Sequence, residues 1–250
     1  MPRAELYEPG LLGPLEFAEL GFEPLWIRLS SHRYSSSDAA HIARNYRAFD
    51  AVIADGPLDG LILTGAPVEE LAFEQITYWH ELQDILSYAQ AEVTQTLGLC
   101  WGGLALAEQL GIAKSNYERK LFGVYELRTL EPEHALLRGS DDVFMCPQSR
   151  HAGIADAELE RAAADGRVRL LAHGAASGYA VFEARDGRYL MHLGHPEYDA
   201  ARLVYEYRRD VALGRTDVPV PAQLDLDNPI TRWRSHRNQF FRNWLLNLRK

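Results

Sequence analysis

One junction constrains the fold more than any other stretch of this chain. The apolar run Val93 to Leu99 enters Gly98-Leu99-Cys100-Trp101-Gly102-Gly103, and Leu104 to Leu110 follows with helical spacing until Gly111 stops it. A strand that turns straight into a helix through a glycine-flanked residue belongs to an α/β architecture. The rest of the chain agrees with this. Short apolar runs at Leu25–Leu29 and Leu61–Thr64 alternate with helical patterns at Asp38–Ala54 and Phe73–Gln90. Serines ahead of Asp38 are candidate caps. Beyond Lys120 the pattern is richer in strands: Leu121–Leu127, Asp142–Cys146, Arg167–His173, Tyr179–Glu183 and Tyr189–Leu193, with Asp186-Gly187 as a hairpin turn. The expected fold is therefore α/β, with a mainly parallel sheet flanked by helices.

The 250 residues suit one domain with a full core, expected to span 1–250. Within it, 1–24 reads as an N-terminal segment and Ala200–Leu213 as a helix. The proline-bearing stretch 214–229 reads as an extended connector, and a helix from Asn238 fills most of 230–250. A formal charge of -9 argues against general nucleic-acid binding. Neither a secretory signal nor a membrane span is legible. Two cysteines are too few for a disulfide framework, so the expected location is cytoplasmic.

The junction also carries chemistry. The G-x-C-x-G spacing matches a nucleophile elbow, with Cys100 exposed at the end of its strand and the helix N-terminus favouring a thiolate. A lone cysteine is also a common core residue, and that reading stands beside the first. A thiol nucleophile needs a base and a group to orient it. His195-Pro196-Glu197, after the last strand, offers both. The same region allows a metal alternative of His192, His195 and Glu197, but residues three apart on a strand face opposite sides, so no metal is expected.

Taken with these residues, several ordered segments resemble the homoserine O-succinyltransferase/O-acetyltransferase family, of class I glutamine-amidotransferase-like fold. They are Phe49 and Asp50 ahead of DGLILTGAPVE (Asp59–Glu69), TYWHEL, LCWG, KLFGVYE (Lys120–Glu126), LLRGSDD (Leu136–Asp142), PQSRH (Pro147–His151), GHPEYDA (Gly194–Ala200) and TRWRSH (Thr231–His236). The resemblance implies a homodimeric enzyme of methionine biosynthesis that passes an acyl group from a CoA thioester, through Cys100, to the hydroxyl of L-homoserine. It needs no cofactor beyond acyl-CoA as substrate. Cys100, His195 and Glu197 would form the triad. The Trp101 N–H and a backbone group near Gly65 or Ala66 would form the oxyanion hole.

The resemblance further implies that Arg209 binds the amino-acid carboxylate and that Lys120 and Ser149 belong to the active site. Read without it, Arg209 is an exposed helix residue, Lys120 a solvated strand start and Ser149 part of a polar turn. Glu69 stands where a glycine suits succinyl donors and a glutamate suits acetyl donors, which favours acetyl-CoA over succinyl-CoA. Arg232, Arg234, Arg237 and Arg242 could meet CoA phosphates or form a solvated basic face.

The chain departs from the family in two places. The family has an extra strand ahead of the segment equivalent to Leu25–Leu29, and Gln148 stands where it has histidine. L-serine is therefore an alternative acceptor, since apolar pockets separate one methylene by only about 1–3 kcal/mol. A glutamine amidotransferase or hydrolase with the same triad is a second reading. A non-catalytic ligand-binding member of the fold is a third.

Overall fold

The computed structural model describes residues 3–249. In chain order the elements are α1 (Ala4–Glu16), β1 (Trp26–Arg28), α2 (Ala39–Asn45), β2 (Tyr46–Ala48), α3 (Phe49–Ile53) and β3 (Gly60–Leu63). Next come α4 (Trp79–Glu92), β4 (Gln95–Leu99), α5 (Trp101–Glu108), β5 (Ser115–Thr129), β6 (Val143–Gly153) and α6 (Asp156–Ala164). The chain continues through β7 (Arg169–Gly174), β8 (Gly178–Ala184), β9 (Tyr189–His192), α7 (Ala200–Ala212) and α8 (Arg234–Asn247).

Seven strands form one sheet in the order β3-β4-β9-β8-β7-β5-β6. The pairings β3–β4 and β4–β9 are parallel; those from β9 outward to β6 are antiparallel. The α/β class holds, but the expected mainly parallel sheet is a mixed one. Its parallel part is confined to the end that carries Cys100, because β7, β8 and β9 are joined by tight turns that can only reverse direction. The turn between β8 and β9 is the expected hairpin, with Arg185, Asp186 and Gly187 all at positive φ.

Helices cover both faces. Tyr7, Leu11 and Leu15 of α1 join Phe240, Phe241 and Trp244 of α8 in one apolar cluster against the sheet. Leu82 and Leu86 of α4, Leu104 and Leu106 of α5 and Leu159 of α6 form the other. β4 is buried at all five residues, as expected of a strand with helices on both sides. Two histidines in this interior have unpartnered ring nitrogens: His236, stacked on Phe144 at 3.5 Å, and His192, whose Nε2 meets no partner.

Local expectations fail where burial overrides sequence pattern. The helix expected over Asp38–Ala54 is broken by β2, which pairs in parallel with β1. Asp38, not a serine, caps α2 by accepting from the Ala40 and His41 N–H groups. Ser149, which read without the resemblance is part of a polar turn, lies in the buried half of β6. Residues 1–24 hold a helix, α1, despite Pro9 and Pro14; α6 also carried no expectation. The connector is held by Ala222, whose N–H donates to Phe122 O and whose carbonyl accepts from Val124 N–H, 2.9 Å each. Gly123 at φ +137° makes that approach possible, since a Cβ there would lie 2.3 Å from Ala222 N.

β1 and β2 form a separate two-stranded ribbon. Between the ribbon and the outer edge of β3 lies a cavity of about 510 Å³, lined among others by Trp26, Ile27, Leu61, Ile62, Trp244 and Leu248. No helix among the described residues is long and apolar enough to cross a membrane.

Candidate active site

The turn from β4 into α5 puts Cys100 at φ 51°, ψ -115°, a strained conformation for a non-glycine residue. Glycines allow it. A Cβ on Gly98 would lie 2.5 Å from Gly102 O, and one on Gly102 would lie 2.0 Å from Leu63 O. Only a chain without side chains there can fold the helix start so close to β3 and β4. The Cys100 N–H is fixed by His192 O at 2.8 Å, which ties the turn to β9.

β9 delivers the partner groups. Gly194 passes so close to Cys146 and Gln148 that any Cβ would collide with both side chains. His195 N–H then donates to Pro147 O at 2.9 Å. His195 Nδ1 lies 2.8 Å from Glu197 Oε1, and its ring stacks on Tyr198 at 4.0 Å. The imidazole lies near enough to Cys100 to pull its thiol down against burial. Both rest against Gly65, where a Cβ would lie 3.2 Å from His195 Cε1 and 3.4 Å from Cys100 Cβ. Cysteine, histidine and glutamate thus meet in one buried line, as a triad requires.

Burial pushes the Cys100 thiol up, and Glu69 adds to this, while the imidazole of His195 pulls the other way. The thiolate expected from the helix N-terminus is thus opposed by desolvation, and His195 is the main group that favours it. For His195, desolvation lowers the pKa, but Cys100, Glu197 and the hydrogen bond to Glu197 outweigh it and hold the ring well above the usual histidine range. Cys146 is also buried, and desolvation followed by the Glu197 charge drives its thiol far up, which makes it inert.

Glu69 reaches the same point from the loop after β3. Its Oε1 accepts from His151 N–H at 2.6 Å and its Oε2 lies 3.8 Å from Cys100 Sγ. Ser149, on β6, donates from Oγ to Glu206 Oε2 at 2.6 Å, and its carbonyl oxygen lies 4.0 Å from Cys100 Sγ. Lys120 is buried rather than solvated: its Nζ lies 2.8 Å from Asp210 and sits over the Phe122 ring. Arg209 is half-buried, with Nε donating to Asp210 Oδ1 at 2.7 Å. Arg232, Arg234 and Arg242 are exposed and Arg237 is half-buried.

Two residues carried no expectation. Glu206, on α7, also accepts from Tyr198 O–H at 2.9 Å and is surrounded by Ser149, Lys120 and Arg202. Desolvation of its carboxyl is outweighed by those cations and by Ser149, which hold it below the usual carboxylate range. Its place one turn before Arg209 was the available signal. Tyr7, on α1, donates its O–H to Glu197 Oε1 at 3.0 Å. Among the described residues no three His, Cys, Asp or Glu side chains gather to hold a metal ion.

The family model for homoserine O-succinyltransferase matches residues 1–248. The chain belongs to that family. A relative from Lachnospira eligens named homoserine O-acetyltransferase is 37% identical over 250 residues, covering 98% of this chain and 79% of its own. A Petrotoga mobilis relative of the same name is also 37% identical, covering 98% and 80%. Among solved structures, a glutamine amidotransferase from Thermotoga maritima superposes with TM-score 0.59 at 16% identity, over 85% of this chain and 86% of its own. One from Methylobacillus flagellatus gives 0.55 at 13%, over 91% and 96%. These structures share the fold of this homoserine O-succinyltransferase family member, the class I glutamine-amidotransferase-like fold its sequence resembles.

Proposed function

We propose that this homoserine O-acyltransferase uses Cys100 as a covalent acyl carrier between acetyl-CoA and L-homoserine. The observation that carries the reading is the strained Cys100 turn facing the His195–Glu197 pair. Nδ1 of His195 is engaged by Glu197, so the other ring nitrogen serves Cys100. As the thiol gives its proton to His195, sulfur attacks the acyl carbonyl carbon. The C–S bond to CoA breaks, and the CoA thiolate leaves with the proton held by His195. The homoserine hydroxyl then gives its proton to His195 and attacks the acyl-Cys100 carbonyl. The ester departs, and His195 returns the proton to Cys100. Thioester exchange keeps the bond type, so the first half costs little. The N–H of Trp101, at the start of α5, and one near Gly65 or Ala66 are suited to the developing oxyanion.

Glu69 favours the acetyl donor. A carboxylate 3.8 Å from the nucleophilic sulfur occupies the space of a longer acyl chain and repels a succinyl carboxylate. Arg209 and the anionic Glu206, one turn apart on α7, present opposite charges to the carboxylate and ammonium of an amino-acid acceptor. Both relatives are named for homoserine, and no observation favours serine.

Mass spectrometry after acetyl-CoA treatment without acceptor tests the reading. One acetyl adduct on Cys100, discharged by homoserine, is expected. An adduct on Cys146, or full turnover by Cys100→Ser, would overturn it.

A further inference from the structure

Glu197 is a carboxylate with little to hold it. Its side chain is fully buried, and Oε2 has no hydrogen-bond partner. Both donors it has converge on Oε1: His195 Nδ1 at 2.8 Å and the Tyr7 hydroxyl at 3.0 Å. A buried carboxylate with so few donors can turn about its terminal torsion unless something opposes it. His195 cannot do this alone, because it is the group whose orientation Glu197 must fix.

Tyr7 comes from an element that supplies no triad residue. It is buried in the second turn of α1, and its ring meets Tyr198 edge to face at 6.4 Å. Tyr198 in turn stacks on His195. The helix runs close beside the acid's backbone, so that a Cβ on Gly10 would lie 3.6 Å from Glu197 O. The hydroxyl is therefore delivered by a packed helix. Burial, with the Glu197 and Tyr198 charges, drives the Tyr7 pKa far up, so the O–H remains a donor throughout the working pH range.

We infer that Tyr7 is a positioning residue of the catalytic site, whose hydroxyl holds the Glu197 carboxylate turned toward His195. This rests on the triad reading and adds a fourth member, carried on α1. Tyr7 acts through Glu197, the acceptor of its hydroxyl.

The test is Tyr7→Phe in the full chain, which keeps the ring and removes only the hydroxyl. With one donor left, the Glu197 carboxylate is free to turn away from His195, so the loss should fall on kcat rather than on substrate binding. The kcat should fall about tenfold to a hundredfold, the worth of one hydrogen bond to a buried charge, with both KM values within about twofold. In a Glu197→Gln background, Tyr7→Phe should have little further effect. Leu11→Ala, on the same buried face of α1, should lower stability while kcat stays within about twofold at temperatures where the variant is folded. An unchanged kcat in Tyr7→Phe, alongside a crippled Glu197→Gln, would overturn the role of Tyr7. Full activity of Glu197→Gln would instead remove the triad on which the inference rests.

Discussion

The proposed role of Glu69 in donor choice rests on one side chain beside Cys100. Its carboxylate is held in place by the His151 N–H and directed at Cys100. Glu69→Gly removes both the bulk and the charge. It should raise the succinyl-to-acetyl ratio of kcat/KM by about tenfold or more, since about 1.4 kcal/mol is a factor of ten and like charges at this range exceed it. Steady-state rates with the two CoA esters measure it; an unchanged ratio would assign donor choice elsewhere. Glu69 was legible in the sequence only through a resemblance, and Cys100 through its flanking glycines. Tyr7 was not, because its partner lies 190 positions away and a tyrosine between prolines has no pattern of its own. Read without the resemblance, Ser149 passes for part of a turn because the run Gln148-Ser149-Arg150-His151 is polar. Those polar groups are buried and paired with one another or with Glu206, Glu69 and Tyr117, which sequence spacing cannot reveal.

At the scale of elements, the β4–α5 unit depends on close backbone approach. Gly102→Ala would set a methyl group 2.0 Å from the Leu63 carbonyl oxygen, so α5 must move away from β3. Overpacking of this kind destabilises by about 1–3 kcal/mol. Because α5 also fixes the Cys100 turn, acyl-adduct formation should fail at temperatures where the variant is still folded. Denaturant titration and adduct mass spectrometry read the two effects separately, and normal adduct yield would show the turn to be more tolerant than its geometry implies. This element was the clearest in the sequence, because glycine spacing reports backbone requirements directly. The ribbon strand Tyr46–Ala48 was the least clear. Ile42, Tyr46, Phe49 and Ile53 have helical spacing, and only pairing with Trp26–Arg28 pulls the middle of that run into a strand.

For the whole molecule, the buried histidines set an acid limit. Burial lowers His192 and His236 to about 3, from the usual 6.5. Between those values the unfolded chain binds more protons than the folded one. The stability tied to these two histidines is therefore complete above pH 6.5 and is lost as pH falls toward 3. Each histidine removes about 1.4 kcal/mol per pH unit, or about 2 kcal/mol by pH 5. His236→Phe, which keeps a ring on Phe144, should remove roughly half of this loss. Denaturant midpoints at neutral pH and near pH 5 check it, and an identical acid dependence in the variant would exclude His236 as a source.

The cavity between the ribbon and β3 also bears on how the fold comes apart. Among the described residues no strand pairing joins β1 and β2 to the seven-stranded sheet, so the ribbon is held by side-chain packing and by hydrogen bonds at its margins, from Ser30 and Ser31 to Glu81 and from His41 and Tyr46 to Glu8. A unit attached in that way opens by itself, before the rest unfolds. Amide hydrogens of Trp26–Arg28 and Tyr46–Ala48 should exchange with solvent deuterium through this local opening. Those of Gln95–Leu99 should wait for global unfolding. Limited proteolysis should cut first within residues 17–58, leaving a fragment that still carries Cys100, His195 and Glu197. The molecule would then lose its ribbon while the proposed triad stayed folded.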